Sequence, residues 1–278
     1  MPSPVNLANV AAGVGGFKII GEAVHDRAGQ SVSAAGDVNG DGFADLLIGA
    51  PGNDAGAVRA GAAYVVFGKA AGFTTVNLDD VAAGVGGFKI VGETEEDSAG
   101  WLVSGAGDVN GDGLDDLLIS TSFAGAYVVF GQASGLATVN LGEVAAGIGG
   151  FKIAGVGAGG GAASPMSGAG DVNGDGYDDL VLGLPASDAG GYNAGTVYVV
   201  FGKADGFAPV NLDDVAAGVG GFEIIGETAF DEAGWSVSAA GDVNGDGFAD
   251  LLIGAPWKDA GGTDAGAAYV VFGKAGDF

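Results

Sequence analysis

Gly36-Asp37-Val38-Asn39-Gly40-Asp41-Gly42-Phe43-Ala44-Asp45 is the stretch whose reading decides the fold. It recurs at Asp108–Asp116, Asp171–Asp179 and Asp242–Asp250, so the chain holds four copies. Counted from the first Asp, oxygen-bearing side chains stand at positions 1, 3, 5 and 9, and Gly stands at position 6. Alternate residues of a tight loop can aim their oxygens at one point, which is how a hard cation such as Ca²⁺ is wrapped. The stretch reads as a Ca²⁺ loop, and the repeat around it as the unit of the fold.

The ligands expected in the first loop are Asp37, Asn39, Asp41, the carbonyl of Phe43, and Asp45. The second has Asp108, Asn110, Asp112, the Leu114 carbonyl and Asp116; the third has Asp171, Asn173, Asp175, the Tyr177 carbonyl and Asp179. The fourth has Asp242, Asn244, Asp246, the Phe248 carbonyl and Asp250. An EF-hand would place a bidentate Glu at position 12, between helices. Here that position is Ile48, Ile119, Leu182 or Ile253, inside an apolar run, so Asp at position 9 must close the loop. Mg²⁺ demands stricter octahedral geometry, and Zn²⁺ would want His or Cys. The plain alternative is an Asx-rich turn that binds nothing. That reading does not explain repelling carboxylates at both positions 1 and 9 in every copy.

Composition agrees with a repetitive β chain. The 278 residues are 48% hydrophobic, enough to bury a core, and 59 are Gly, without the period of collagen. Asp and Glu number 35 against 9 Lys and Arg, a net charge of −26, which argues against nucleic acid and anionic membranes. There is no Cys, so metal rather than disulfide is the expected staple. Met1-Pro2-Ser3-Pro4 is not followed by the apolar core of a signal peptide, and no run is long enough to span a membrane. Modest Ca²⁺ sites suit the outside of a cell, which points to a secreted or cell-surface location.

The phrase Gly-Gly-Phe-(Lys/Glu)-Ile recurs with Phe17, Phe88, Phe151 and Phe222, and it keeps the same steps of 71, 63 and 71 as the loops. Repeats of about 5–75, 76–138, 139–209 and 210–278 follow, within a single domain 1–278. Ser31–Pro51 and Ser236–Pro256 are identical over 21 residues. Each unit reads as four strands. Strand A is the small-residue run Ser31–Ala35, B is Asp45–Gly49, C is Ala62–Gly68, and D is the Phe-Lys-Ile run, as in Phe17–Glu22. Val76–Ala83 reads as an excursion between C and D. Four short strands repeated four times predict an all-β fold, a β-propeller of four blades with four antiparallel strands each. A β-solenoid is the rival. The chain starts on a D strand and ends on a C strand, so strand 17–22 is expected to complete the last blade and close the ring.

Gly-Asp-Val-Asn-Gly-Asp-Gly-x-x-Asp-Leu-Leu-Ile-Gly-Ala-Pro, followed by Gly-Ala-x-Tyr-Val-x-Phe, resembles the FG-GAP repeat of integrin α-subunit propellers. Related repeats occur in large bacterial secreted proteins. The resemblance covers essentially the whole chain and implies Ca²⁺ bound in the hairpin between strands A and B. It also implies a non-enzymatic extracellular scaffold or adhesion module, with protein or glycan ligands at the ring-face loops. The family's Phe-Gly is here Ala28-Gly29, Ala99-Gly100 and Ala233-Gly234, while copy three has Ala162-Ala163-Ser164-Pro165 after a Gly-rich loop. Gly-Ala-Pro becomes Gly183-Leu184-Pro185 in copy three and Ser120-Thr121-Ser122 in copy two. Integrin rings have seven blades, so two chains forming one eight-bladed dimeric ring is an alternative to a four-bladed monomer.

Other residues invite narrower readings. His25, the single histidine, is expected in a surface loop rather than in a dyad with Asp26. The acidic clusters Glu95-Glu96-Asp97 and Asp231-Glu232 read as solvated charge rather than a glycosidase pair. Trp101 and Trp235, equivalent to Gln30, are expected to pack between blades; stacked on sugars, they would instead make the module a Ca²⁺-dependent lectin. Trp257 is expected to be exposed.

Overall fold

The structure, a computed structural model, describes residues 4–122, 125–133, 138–155, 165–205, 207–276 and 278. Ala162–Ser164 and the Gly-rich segment before them lie outside the described residues. Four antiparallel meanders carry the fold. The first runs β2 (Val32–Gly36), β3 (Asp45–Ala50), β4 (Ala62–Val66) and β6 (Gly87–Val91). The second is β7 (Val103–Gly107), β8 (Asp116–Ser120), β9 (Ala126–Val129) and β11 (Gly150–Ala154). The third is β12 (Met166–Gly170), β13 (Asp179–Leu184), β14 (Thr196–Val200) and β16 (Gly221–Ile225). Among the described residues the fourth has only β17 (Ser236–Gly241), β18 (Asp250–Ala255) and β19 (Ala267–Val271). This is the all-β, propeller-like arrangement expected of the repeats.

The sheets stack face to face in chain order: β2 lies on β7, β7 on β12, and β12 on β17. Strand A is built of small residues because the neighbouring A strands approach so closely. A Cβ on Gly105 would stand 2.9 Å from the Ala34 carbonyl, and one on Gly168 2.8 Å from that of Ala106. The B strands are apolar on both faces because each inner sheet is covered twice. In β8, Leu117 and Ile119 pack with Leu47 and Val65 of the first sheet, while Leu118 packs with Leu180 and Leu182 of the third. That is the two-residue period of a strand, here apolar at every step. Val181, Val197 and Val199 meet Leu251 and Ile253 in the last interface.

The excursion between strands C and D is more ordered than a loop. β5 (Val76–Asn77), β10 (Val139–Asn140) and β15 (Val210–Asn211) each lead into one helical turn, α2 (Leu78–Ala82), α3 (Leu141–Ala145) and α4 (Leu212–Ala216). Asn140 and Asn211 cap their turns through the side chain. Leu and Val three residues apart, such as Leu78 and Val81, are buried on strands C and D of the same sheet. β10 and β15 run parallel to β6 and β11 of the preceding units.

The expected ring closure is corrected. Strand D of the first copy shortens from 17–22 to β1 (Ile19–Ile20) and pairs parallel with β5, in the same relation as β6 to β10. It does not join the fourth sheet, whose β19 pairs only with β18 among the described residues. Nor does β17 return to β2. Three successive face-to-face packings leave the last sheet apart from the first, so the two ends do not share a strand within one chain.

A half-buried ion pair ties the units together. Glu22 Oε2 accepts hydrogen bonds from Tyr64 Oη and from Lys89 Nζ, and Lys89 lies over the Tyr64 ring. Glu93, Tyr127 and Lys152 repeat the cluster, with Lys152 Nζ 2.8 Å from Glu93. Burial alone would raise the Glu22 and Glu93 carboxyls, but the hydrogen bonds from Lys and Tyr outweigh it and hold both below the usual 4.5. A depressed carboxyl contributes stability above its unfolded pKa that is lost as pH falls through the folded one. Lys89→Met should cost about 2 kcal/mol in urea unfolding, between exposed-pair and buried-pair values. It should also flatten the fall in melting temperature below pH 4.5. A wild-type acid limb in that variant would refute the assignment.

Candidate metal-binding loops

Each loop joins strands A and B across a bulged hairpin, as between β2 and β3. Gly40 has φ 74 and Gly42 φ 86, a left-handed backbone that sharpens the reversal without a Cβ penalty. The side chains then turn inward on the loop's own amides. In the first loop Asp37 accepts from the N–H groups of Gly40, Asp41 and Gly42 at 2.8, 3.1 and 2.8 Å. Asn39 Oδ1 accepts from Asp41 N at 2.8 Å, and Asp41 Oδ1 from Phe43 N at 2.9 Å. The third and fourth loops repeat this network around Asp171, Asn173 and Asp175, and around Asp242, Asn244 and Asp246. In the second, Asp108, Asn110 and Asp112 hold the same turn.

Position 9 behaves differently. Asp45, Asp116, Asp179 and Asp250 are fully buried. Asp45 Oδ2 accepts from Val38 N at 3.1 Å and Oδ1 from Gly68 N at 2.8 Å, so one carboxylate ties the loop to the end of strand C. Asp116, Asp179 and Asp250 make the same two bonds. Loss of water pushes the Asp45 carboxyl up to about 6 and those of Asp116 and Asp179 to about 7. The loop's own Asp charges, Asp41 and Asp37 for Asp45, push the same way. Among the described residues no three acidic or histidine side chains gather into a ready cluster. The donor set is instead mixed: carboxylates at positions 1, 5 and 9, the Asn amide oxygen, and the carbonyl at 7. Such oxygens suit a hard cation, and its positive charge would offset the mutual repulsion that the raised carboxyls register.

Position 8 went unnoticed in the sequence and matters. Asp115 Oδ2 accepts from Asp37 N at 2.7 Å, and Asp178 Oδ2 from Asp108 N at 2.9 Å, so each reaches back to the loop of the preceding sheet. The main chain makes a parallel link: Asp115 N, Asp178 N and Ala249 N donate to the carbonyls of Asp37, Asp108 and Asp171. The signal was Asp115 and Asp178 standing where Ala44 and Ala249 stand in the outer copies, in a motif that otherwise varies only at position 7.

The remaining candidates separate cleanly. His25 has φ 69, at the turn position that Glu96 (φ 65) and Phe230 (φ 70) fill in other copies. Asp26 is buried and accepts from Asn53 Nδ2 at 2.6 Å. Glu95 and Glu96 are exposed, but Asp97 and Asp231 are buried, a correction to the wholly solvated clusters. Trp101 is half-buried, whereas Trp235 is exposed, with no described sheet packed on that side of the fourth. Trp257 is exposed as expected; its ring meets Trp235 edge-on at 6.5 Å, and Nε1 donates to Glu232 at 3.1 Å.

Asp115→Ala should leave the Asp37 amide without its side-chain acceptor. A loss of about 1–3 kcal/mol follows from one unpaired, part-buried group. Hydrogen exchange of the Asp37 amide should accelerate while that of the β13 amides stays protected. Unchanged exchange at Asp37 would refute the link.

Compared with known proteins, the chain matches the FG-GAP repeat over residues 28–66, 167–200 and 233–271. The second copy, where Ser120-Thr121-Ser122 stands in place of Gly-Ala-Pro, is not among the matched residues. Integrin alpha pat-2 of Caenorhabditis elegans is 31% identical over 255 residues, which cover 84% of this chain and 18% of that protein. Phosphatidylinositol-glycan-specific phospholipase D of Bos taurus is 28% identical over 255 residues, covering 84% of this chain and 27% of that protein. Integrin alpha-6 of Gallus gallus is 34% identical over 95 residues, 33% of this chain and 8% of that protein. The chain thus spans about a quarter or less of the length of these relatives.

Proposed function

Because this chain carries FG-GAP repeats and is homologous to integrin α subunits, we propose that it is a Ca²⁺-stabilised propeller-type module for extracellular protein interaction. The four meanders are its blades. One observation carries the reading: four loops present the same five-oxygen donor set, and the buried Asp of each is tied to strand C. When bound, the cation supplies positive charge to carboxylates that otherwise repel one another. Asp37, Asn39, Asp41, the Phe43 carbonyl and Asp45 would hold it in the first loop, with their counterparts in the other three. Asp45 would then join loop, strand C and cation in one group. The expected consequence is rigidity of the sheet array, not chemistry.

A partner would meet the loops that connect the sheets, since these vary in sequence between copies more than the strands do. The charge of −26 favours basic protein surfaces over nucleic acid. No helix among the described residues is long and apolar enough to cross a membrane. A non-enzymatic role fits the fixed turn position of His25. Adhesion and a secreted or cell-surface location rest on the integrin relationship and on where Ca²⁺ is abundant. A lectin-like role has one specific observation in its favour, the exposed Trp235–Trp257 pair beside Glu232.

Adding Ca²⁺ to metal-free protein should raise the melting temperature in step with saturation, by about 2.7 kcal/mol per site at a hundredfold excess over Kd. Asp41→Ala and Asp246→Ala should each remove one site in calorimetric titration. An unchanged melt in excess chelator would overturn the reading. On a glycan array, binding lost in Trp235→Ala and Trp257→Ala with the melt intact would favour the lectin role.

A further inference from the structure

The first and fourth sheets share the identical stretch Ser31–Pro51 and Ser236–Pro256, yet they bury opposite faces of it. Leu46 is 37% exposed while its twin Leu251 is 0%; Leu47 is 0% while Leu252 is 41%. Val38 is 0% exposed and Val243 59%. The leading face of the sequence is covered in sheet four by sheet three and is bare in sheet one. The trailing face is covered in sheet one by sheet two and is bare in sheet four. Both halves of an interface that already forms inside the chain are therefore displayed at its two ends.

The interlocking parts are in place. Leu114, Tyr177 and Phe248 each press on the loop glycine of the preceding sheet, Gly40, Gly111 and Gly174; the fourth, Gly245, is open, and the knob of the first loop, Phe43, is exposed. Ala249 sits against Gly170, and Gly241 is open for the equivalent Ala44. Ser31 and Ser33 accept from the amides of Val103 and Gly105 in the next sheet. Their twins Ser236 and Ser238 would accept from Val32 and Ala34.

The N-terminal segment carries what sheet four lacks. α1 (Leu7–Ala11) follows Val5-Asn6 just as α2 follows Val76-Asn77, but it buries no residue, and Leu7 is exposed. Its counterparts rest on strands C and D of a sheet. β1 is a D strand without a C strand. In sheet four, Tyr269 Oη donates to Glu227 at 2.8 Å, as Tyr64 does to Glu22, but among the described residues no strand D pairs with β19. Lys18 stands in β1's run at the position of Lys89 and Lys152. Glu227 pairs with Lys258 Nζ at 3.2 Å and shares it with Asp231. Lys18 would bring a second cation to these two acids, and the register Tyr64↔Lys89 sets Lys18 opposite Tyr269.

We propose that a second copy of this chain is the occupant of both ends. Val5–Ile20 of each copy completes sheet four of the other, the bare face of sheet one docks on the bare face of sheet four, and two copies close one ring of eight sheets. The contact is head to tail and occurs twice. This goes beyond the calcium-module reading and does not rest on it.

Light scattering on the purified chain should give twice its 26.6 kDa mass. The mass of one chain, or a ladder of larger species, would overturn the proposal. Leu7→Asp and Leu252→Lys change residues that are exposed in the single chain, so each should keep its circular dichroism and fall to the mass of one chain; a persisting dimer in either overturns it. Because the chain has no Cys, Lys18→Cys with Tyr269→Cys tests the register directly. Oxidation should link two chains in a non-reducing gel. A link within one chain, or none, overturns it.

Discussion

A carboxylate shut away from water stands at the base of every hairpin, and the rest of the architecture leans on it. Asp45, Asp116, Asp179 and Asp250 each accept one amide from their own loop and one from the residue after strand C. That bridge fixes where strand C leaves the sheet relative to the A–B turn. Burying a charge without compensation is costly, and two backbone bonds offset only part of the desolvation that raises Asp45, Asp116 and Asp179. The outer Asp side chains at positions 1 and 5 satisfy loop amides and keep the turn formed, yet they add negative charge beside the buried one. A site arranged this way is stable as a turn and electrostatically receptive to a cation.

Above the hairpins, stability comes from repetition of one interface. The A strands are small so that sheets can approach, and the B strands are apolar on both faces so that each inner sheet serves two cores. Position 8 of the loop adds a directional tie, with Asp115 and Asp178 reaching back to the amide of the preceding loop. The Glu–Lys–Tyr clusters add a second tie at the level of strands C and D. Both are unit-to-unit contacts, so they make neighbouring sheets dependent on one another and leave the terminal sheets with unmatched halves.

Much of this was legible from the residues. The 71, 63 and 71 spacing numbered the units, and the loop glycines marked the hairpins. Asp45–Gly49 and Ala62–Gly68 read correctly as strands, observed as Asp45–Ala50 and Ala62–Val66, because continuous apolar runs of that length leave little else to form, although Leu46 of the first is exposed. The segment Val76–Ala83 was harder. It combines a two-residue parallel strand with one capped helical turn, each too short to show a period. Phe17–Glu22 was read as a full strand, but only Ile19–Ile20 pair, since the C strand that would zip the rest is absent. The tie made by Asp115 was hidden because it depends on the next sheet's distance, and no local pattern encodes that.

By itself the sequence determined the local elements: reversals that only Gly permits, strands drawn by apolar runs, and loops whose Asp and Asn side chains cap their own amides. These depend on neighbours a few residues away. Burial depended on the tertiary structure alone. Ser31–Pro51 and Ser236–Pro256 are the same 21 residues with the same strands and the same loop, yet they hide opposite faces. Whether a leucine is core or surface is set by which sheet lies against it. The fold also decided that four units do not close on themselves, because closure is the sum of every packing step along the chain, and no single repeat contains it.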